Sequence, residues 1–238
     1  MEEHFFHIHP DNLDHNQFTL SKEETQHFLK SLRGKKGDSL WLLDGLGTAY
    51  EGTVSGINGK SVSGIIKQVH PSYGESDYEI HLAIGLIKGN RMDFVLEKAT
   101  ELGVKSIQPL LLDRCVKKKL NMDRANRIVI TAAKQSGRSY FPQVRDVINM
   151  THWLDNLRGC YKIVCRFSGK KTLANALGKA RIKVCMLIGP EGDFSENEIE
   201  QMKQAHVEFI SLGPRRLRSE TAAIVAISNL NQLIGDEG

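Results

Sequence analysis

The sequence has few cysteines and no long apolar run. Its four cysteines, Cys115, Cys160, Cys165 and Cys185, show no CxxC spacing, which argues against a zinc site or a disulfide framework. No segment approaches the ~18 consecutive apolar residues that a membrane helix needs. The first residues, MEEHFFHIHP, lack the basic start and apolar core of a secretory signal. We therefore expect a protein without a metal or a membrane partner, located in the reducing cytoplasm.

A strong excess of one charge is also missing. The 238 residues include 32 Lys and Arg against 28 Asp and Glu, a net charge of +4. This excess is too small to indicate nucleic-acid binding, so the positions of the basic residues must decide. Hydrophobic residues make up 40% and charged residues 25% of the chain, which is ordinary for a globular protein.

The first seventy residues predict β structure with one short helix. Ser21 and Glu24 begin the helix SKEETQHFLKSL with the pattern of a capping box. Asn58-Gly59 separates two apolar-alternating segments and indicates a hairpin. Several short strands in so few residues favour a small barrel or sandwich. The stretch PSYGES, residues 71–76, marks a boundary, so we predict domains at residues 1–72 and 73–238.

The second part of the chain predicts an α/β domain with a parallel sheet. A strand, a helix and another strand follow one another as YEIHLAIGLI, RMDFVLEKATEL and VKSIQPLLL, which is a βαβ unit. A second helix, NMDRANRIVITAAKQSG, precedes three more strands, YKIVCRF, KVCMLIG and VEFISLG. The last helix, ETAAIVAISNLNQLI, is apolar over most of its circumference, so it must pack in the core or against a second subunit.

Two of the predicted strands end in glycine turns. These are GPEG at Gly189 and LGP at Gly213, at the carboxyl ends of strands, where parallel sheets bind ligands. Neither turn has a phosphate-loop pattern, and Glu191 and Asp193 would repel a phosphate. The first turn therefore suits a neutral or cationic ligand. The alternative is an ordinary strand–turn–helix connection. Ser195 and Glu198, just after the first turn, show the pattern of a second capping box.

Basic residues crowd the stretch RRLRSETA. Arg215, Arg216 and Arg218 stand at the start of the last helix, where the helix dipole disfavours cations and Glu220 offsets them only in part. A polyanion bound nearby would explain this arrangement, and a solvated basic loop is the alternative. Other basic residues follow predicted strands or helices: Lys88, Arg91, Arg114 and Arg138.

The order of five segments resembles that of the RsmE family, which are SPOUT-superfamily methyltransferases of 16S ribosomal RNA. The segments are KGNRMDFVLEKATELGV, DRC, AAKQSGRSYFPQV, LIGPEGDFSENEI and SLGPRRLRSETAA. The resemblance covers nearly the whole chain. It implies a PUA-like β-barrel followed by an α/β domain with a C-terminal trefoil knot. It also implies a homodimer that uses S-adenosylmethionine to methylate N3 of one uridine in the 16S ribosomal RNA of the small subunit.

The resemblance also assigns site residues. The cofactor site would consist of Phe167, Leu187, Ile188, Gly189, Glu191, Gly192, Leu212, Gly213, Leu217, Arg218, Ser219, Glu220, Thr221 and Ala222. For contact with RNA we expect Arg33, Lys35, Lys36, Lys88, Arg91, Arg114, Arg138, Arg215 and Arg216.

The reaction needs a group that stabilises the uracil anion and one that takes its N3 proton. Arg218 is the first candidate for the former role, with Arg114 and Arg138 as substitutes. Glu220 is either the base or a helix cap paired with an arginine. Two other functions are compatible with these residues: a non-catalytic ribosome-assembly factor that binds ribosomal RNA, and a SPOUT methyltransferase that acts on tRNA.

Overall fold

A computed structural model describes residues 4–59, 61–157, 159–177 and 183–235. The chain forms two compact units. The first contains the described residues up to Glu75 together with Ile130–Phe141, and the second contains Ser76–Val129 and the described residues from Pro142 onward.

The first unit is built around one six-stranded sheet. Its strand order is β1-β4-β5-β6-β3-β2, with β1 and β4 parallel and the other neighbours antiparallel. The predicted hairpin is confirmed, because β5 and β6 pair up to Asn58↔Ser61 and Gly59 has a φ of 59°. The strands are β1 Phe5–His7, β2 Leu13–Asp14, β3 Gln17–Thr19, β4 Ser39–Leu43, β5 Thr48–Asn58 and β6 Ser61–Pro71.

The helix of the first unit forms only half of the predicted capping box. Helix α1, Lys22–Gln26, continues as a π-helical turn, His27–Ser31. The Ser21 hydroxyl accepts from the Glu24 N–H at 3.2 Å. The Glu24 carboxylate, however, accepts from the backbone N–H of His7 and pairs with Lys134 at 2.6 Å. A long-range ion pair thus replaces the local contact.

The second unit is a parallel sheet with helices on both faces. The strand order is β12-β10-β11-β7-β8-β9, and every neighbouring pair is parallel. The strands are β7 Glu79–Gly85, β8 Ser106–Leu110, β9 Gln143–Val144, β10 Tyr161–Cys165, β11 Lys183–Ile188 and β12 Glu208–Ile210. The helices are α2 Asn90–Glu101, α4 Met150–Asp155, α5 Leu173–Leu177, α6 Glu196–Gln204 and α7 Ser219–Gly235. Helix α3, Met122–Gln135, belongs to this unit up to Val129 and to the first unit from Ile130.

Alternate side chains of the strands supply the two layers of core. Ile80, Leu82 and Ile84 of β7 pack in the cluster that includes α2 and α7, whereas Ala83 faces the cluster that includes Trp153 of α4. This alternation is the period of a strand buried on both faces. All five strands predicted for this part are confirmed, but β9 and α4 were not predicted from the sequence.

The division into units differs from the sequence prediction by three residues at the boundary, because the first unit extends to Glu75, and by one later segment. Ile130–Phe141 belongs to the first unit by its contacts, although the sequence-based division assigns all of residues 73–238 to one domain. Within the first unit this segment supplies the Lys134 partner of Glu24. The ring of Phe141 also lies against Gly45. Long-range packing of this kind leaves no signal in local sequence.

The described ranges contain neither a membrane-spanning helix nor a cluster of metal-ligating side chains. Among these residues, no helix combines the length and the apolar composition required for a membrane crossing. In the same part of the chain, no group of three His, Cys, Asp or Glu residues is arranged to hold a metal ion.

Candidate functional site

A cavity of about 320 Å³ lies at the carboxyl ends of β10, β11 and β12. Three loops that follow these strands line it, together with the first residues of α7. This is the edge of a parallel sheet at which ligands bind. The lining residues are Cys165, Arg166, Phe167, Ile188, Gly189, Pro190, Glu191, Asp193, Leu212, Gly213, Arg215, Arg216, Leu217, Arg218, Ser219 and Ala222.

The first glycine turn is held by close backbone contact with the neighbouring strand. A Cβ at Gly85, the last residue of β7, would lie 2.8 Å from Pro190 Cδ and 2.9 Å from Pro190 N. At Gly189 a Cβ would lie 2.9 Å from the Phe194 ring. Only glycine therefore allows the turn to lie this close to the sheet.

A polar network joins the end of this turn to the loop after β8. The predicted capping box of Ser195 and Glu198 is confirmed in both directions. The Ser195 hydroxyl also donates to Asp113 Oδ2 at 2.6 Å, and the Asp113 N–H donates to Glu198 Oε1 at 2.9 Å. Arg114 Nη1 donates to the Gly192 carbonyl at 3.0 Å. The start of α6 is thereby fixed by a segment about eighty residues earlier.

The guanidinium of Arg91 contacts two carboxylates from different loops. Its Nη1 lies 3.2 Å from Glu191 Oε1, and its Nε lies 3.7 Å from Glu220 Oε1. Glu191 Oε1 also accepts from the Lys88 N–H at 3.2 Å. Glu220 Oε2 is buried without a hydrogen-bond donor in the described part of the chain. Arg91 therefore compensates two acids that would otherwise repel each other.

A second arginine–carboxylate pair lies in the cavity wall. Arg166 donates to Asp193 from Nε, at 3.2 and 3.3 Å, and from Nη2, at 3.1 Å. Asp193 has a φ of 60°, a conformation that aspartate tolerates better than most residues. This fork-like pair joins the loop after β10 to the loop after β11.

The second glycine turn and the start of α7 present uncompensated positive charge. Gly213 has a φ of 118°, and its missing side chain faces open space. Arg215, Arg216 and Arg218 are exposed, and none of them forms a salt bridge with another described residue. Three cations without acidic partners at one end of a helix favour an anionic ligand at the mouth of the cavity.

The floor of the cavity is apolar and chemically inert. Ile188 is 2% and Cys165 is 7% exposed. Burial raises the pKa of the Cys165 thiol to about 12, so the thiol stays protonated at neutral pH. We therefore assign Cys165 to the floor and not to nucleophilic chemistry.

A second, larger cavity lies at the opposite edge of the sheet. Its volume is about 550 Å³, and its wall includes His81, Arg145 and Lys183. None of the site residues predicted from the sequence lines it. Ligands of parallel sheets bind beyond the carboxyl ends of strands, so the first cavity is the candidate site.

Comparison with known proteins identifies the family. The family described as "RNA methyltransferase domain" matches residues 74–231, and the one described as "RNA methyltransferase PUA domain" matches residues 20–67. The chain is 33% identical over 235 residues to ribosomal RNA small subunit methyltransferase E of Buchnera aphidicola subsp. Acyrthosiphon pisum, covering 95% of this chain and 92% of the relative. The chain belongs to the ribosomal RNA small subunit methyltransferase E family.

Two further members of this family extend the comparison. The Bacillus subtilis methyltransferase E is 27% identical over 90% of this chain and 89% of its own. The methyltransferase E of Neisseria gonorrhoeae, whose crystal structure has S-adenosyl methionine bound, is 30% identical in sequence to this chain. The two structures agree with a TM-score of 0.90 over 98% of both chains. The family resemblance seen in the sequence is thus confirmed.

The cavity of this methyltransferase E family member gathers most of the residues predicted to hold a cofactor. Ten of them line it: Phe167, Ile188, Gly189, Glu191, Leu212, Gly213, Leu217, Arg218, Ser219 and Ala222. Leu187, Gly192, Glu220 and Thr221 do not line it. The alternation of β11 explains Leu187, because its side chain packs in the apolar cluster on the other face of the sheet.

Glu220 forms the arginine pair that one of the two alternatives expected, and its role in the reaction stays a prediction. Its carboxylate pairs with Arg91 in the first turn of α7, which is the interpretation as a helix-start acid bound to an arginine. The neighbouring Ser219 and Ala222 line the cavity, whereas Glu220 does not.

The residues predicted to contact RNA fall into two groups. Eight of the nine are exposed, and Arg138 is the exception, at 2% exposure. The Arg138 side chain forms a two-fold hydrogen-bonded pair with Glu75. The prediction of Arg138 as an RNA contact or a substitute for Arg218 is corrected accordingly, because the guanidinium of Arg138 is buried against Glu75.

Sequence reasoning missed four residues of the cavity wall: Cys165, Arg166, Pro190 and Asp193. Pro190 and Asp193 belong to the glycine turn itself, so its sequence contained the signal. Arg166 directly precedes Phe167, but its pairing with Asp193 joins residues that no local pattern connects.

Proposed function

We propose that this protein transfers a methyl group from S-adenosylmethionine to N3 of a uridine in 16S ribosomal RNA. The observation that carries the proposal is the cavity in which both glycine turns and the arginine-bearing start of α7 meet. The names of the relatives, ribosomal RNA small subunit methyltransferase E, support the substrate class. A cytoplasmic location follows from that substrate.

The chemistry of the cavity fits S-adenosylmethionine. Its volume of about 320 Å³ lies in the range of ~300–1,000 Å³ that is typical of small-ligand clefts. Glu191 and Asp193 line the cavity with carboxylate oxygens that can accept hydrogen bonds, although each is paired with an arginine. The backbone at Gly189 and Gly213 reaches the cavity wall without the bulk of a side chain. Ile188, Leu212 and Leu217 supply apolar surface.

The chain's own residues act on the acceptor. When bound, S-adenosylmethionine supplies an electrophilic methyl group. The N3 atom of uracil must lose its proton before or during bond formation to this methyl group. Arg218, which is exposed and lines the cavity, stabilises the negative charge that spreads onto the uracil carbonyl oxygens. Holding both reactants in contact geometry contributes ~7–11 kcal/mol.

Incubation with labelled S-adenosylmethionine tests the proposal. We expect label in 16S ribosomal RNA, offered bare and in small subunits, and a methyl group on N3 of one uridine by nucleotide mass spectrometry. Arg218→Ala is expected to abolish transfer, and Arg127→Ala, which removes an exposed arginine of α3, should leave it intact. Label in tRNA alone would indicate the tRNA enzyme. Absence of label with bound ribosomal RNA would indicate an assembly factor.

Exposed basic residues of both units are proposed to contact the RNA backbone. They are Arg33, Lys35 and Lys36 in the first unit, and Lys88, Arg114, Arg215 and Arg216 in the second. Arg91 is excluded because it pairs with two acids. Each lost phosphate contact should reduce the slope of log affinity against log salt by ~0.7–0.9. An unchanged slope in Lys35→Ala/Lys36→Ala would remove these lysines from the interface.

A homodimer is proposed from the surface of α7. One face of this helix is buried at Ala223, Ala226, Ile227 and Leu230, while Ile224 and Val225 stay partly exposed. A largely apolar helix that keeps such residues at the surface suits a partner copy. Val225→Glu should shift the sedimentation of the protein from dimer to monomer, and a wild-type monomer would contradict the dimer.

The barrel, the knot and the domain limits are also part of the proposal. The first sheet would close as a PUA-like barrel, with domains at 1–72 and 73–238. For the trefoil knot, the supporting contact is between the loop after β10 and the end of β12. The Ser211 N–H donates to the Lys171 carbonyl at 2.8 Å. Helix α7, which follows β12 in the chain, then packs against β11. An experimental structure whose C-terminal backbone contains no knot would contradict this topology.

A further inference from the structure

Phe167 is a large apolar residue in an unusual place. Its side chain is 59% exposed, although it directly follows the buried strand β10 and lines the candidate site. Among the described residues it belongs to none of the three apolar clusters. Packing within the chain therefore does not account for this ring.

The turn that bears Phe167 is rigidly held. The Arg166 N–H donates to the Ile210 carbonyl at 2.8 Å, and the Gly169 N–H donates to the Arg166 carbonyl at 2.9 Å. The Arg166 side chain is fixed by Asp193. A Cβ at Gly169 would collide with the backbone of Ile210. The ring is thus presented at the cavity on a backbone with little freedom to collapse inward.

The position of the ring distinguishes the mouth of the cavity from its floor. The floor residues Ile188 and Cys165 are 2% and 7% exposed, whereas Phe167 remains open to solvent. The family resemblance assigns Phe167 to the donor site, but a donor held by the glycine turns would lie against the buried floor. The exposed ring is consequently available to the second reactant.

The surroundings of the ring suit a nucleic-acid base. Arg215, Arg216 and Arg218 line the same cavity and have no acidic partner among the described residues. Aromatic rings interleaved with cations bind unpaired nucleotides, because the ring stacks on the base and the cations contact phosphate. A base modified on its Watson–Crick edge must leave its stack to be reached.

We propose that Phe167 is a substrate-binding residue on which the acceptor uracil stacks when it enters the cavity. This inference rests on the proposed function and adds the residue that replaces the stacking lost from the RNA. The N3 edge of the uracil is left open toward the donor while Arg218 contacts the pyrimidine carbonyls.

Four variants separate stacking from bulk. Phe167→Leu retains an apolar side chain without an aromatic face, Phe167→Ala removes both, and Phe167→Tyr and Phe167→Trp retain the face. Stacking on an aromatic ring predicts a loss in kcat/KM for RNA of roughly 10- to 100-fold in the Leu and Ala variants. The Tyr and Trp variants should stay within about three-fold of wild type.

The affinity for S-adenosylmethionine, measured by calorimetry, should be unchanged in all four variants. A loss of that affinity parallel to the loss of RNA activity would place the ring in the donor site and overturn the proposal. Equal activity of Phe167→Leu and wild type would overturn it as well. So would conversion of a dimer to a monomer by Phe167→Ala, since the ring would then pack against a second copy.

Two controls keep the result interpretable. The melting temperature should not change, because an exposed side chain contributes little to stability. Binding of a fluorescent uridine-containing oligonucleotide is measured without methyl transfer. If wild type modifies no ribosomal RNA, the proposed function fails, and this binding assay still decides whether the ring contacts RNA.

Discussion

Arg138 and Glu75 form a buried ion pair with two parallel hydrogen bonds. Arg138 Nε lies 3.0 Å from Glu75 Oε1, and Arg138 Nη2 lies 2.9 Å from Glu75 Oε2. The two side chains are only 3% and 5% exposed. Both belong to the first unit, where they join the loop after β6 to the segment after α3. The arginine thus has a structural role.

Arg138→Ala should therefore destabilise the fold. Removing one partner of a buried pair leaves the other charge uncompensated and costs about 3–5 kcal/mol in the free energy of unfolding. Denaturant unfolding followed by tryptophan fluorescence checks this. The measurement uses a Trp153→Phe background, in which Trp41 is the only tryptophan and reports on the first unit. The double variant Glu75→Leu/Arg138→Met should recover most of the loss. A stable Arg138→Ala with weakened RNA binding would restore Arg138 as an RNA contact.

Glu220→Gln should reduce turnover only slightly. The carboxylate pairs with Arg91 and does not line the cavity. Its loss therefore removes an ion pair at the start of α7 and no group of the cavity wall. We expect kcat with saturating donor and RNA to fall less than ten-fold, against the ~10²–10⁴ expected for removal of a general base. The pH dependence of kcat should keep its shape. A fall above a hundred-fold that flattens the pH profile would identify Glu220 as the base.

Gly85→Ala should weaken binding of S-adenosylmethionine. The new Cβ would lie 2.8 Å from Pro190 Cδ and 2.9 Å from Pro190 N, so the glycine turn must move. Titration calorimetry should show a lower affinity for the donor. Gly56→Ala is the control, because its Cβ meets only the Ser63 hydroxyl at 3.1 Å. Unchanged donor affinity in Gly85→Ala would separate this turn from the donor site.

Cys160 should be the first cysteine to be alkylated. The hydrogen bond from Cys185 lowers the pKa of Cys160 to about 7, whereas burial raises the pKa of Cys165 to about 12. The thiolate is the reactive form, so the rate at Cys160 should rise as pH increases through 7 and then level off. Iodoacetamide labelling with peptide mass spectrometry checks the order, and Cys160→Ser should abolish the fast phase. Equal labelling of Cys165 in the folded protein would contradict this ranking.

Much of the candidate site was predictable because its parts are local in sequence. The capping box of Ser195 and Glu198 forms as predicted, since both residues lie within one helical turn. The loops with Gly189 and Gly213 line one cavity because parallel strands bring their carboxyl ends to the same edge. Arg114 contacts Gly192 for the same reason.

Other parts of the site depend on contacts between distant residues. Arg91 and Glu220 are 129 positions apart, and no local pattern predicts their ion pair. Glu24 carries the sequence pattern of a helix cap, but Lys134, 110 positions away, binds its carboxylate. No local preference distinguishes these partners from others of the same charge.

Local sequence patterns were enough to predict five strands of the second unit, the glycine turns and the edge of the sheet at which the site lies. These follow from apolar periodicity, helix capping and the steric freedom of glycine, all of which act over a few residues. The fold, in contrast, sets which charged side chains line the cavity, as Arg218 does, and which are held in ion pairs, as Arg138 and Glu220 are. The reason is that an ion pair depends on the distance between two groups in space, which the chain sets only after it has folded.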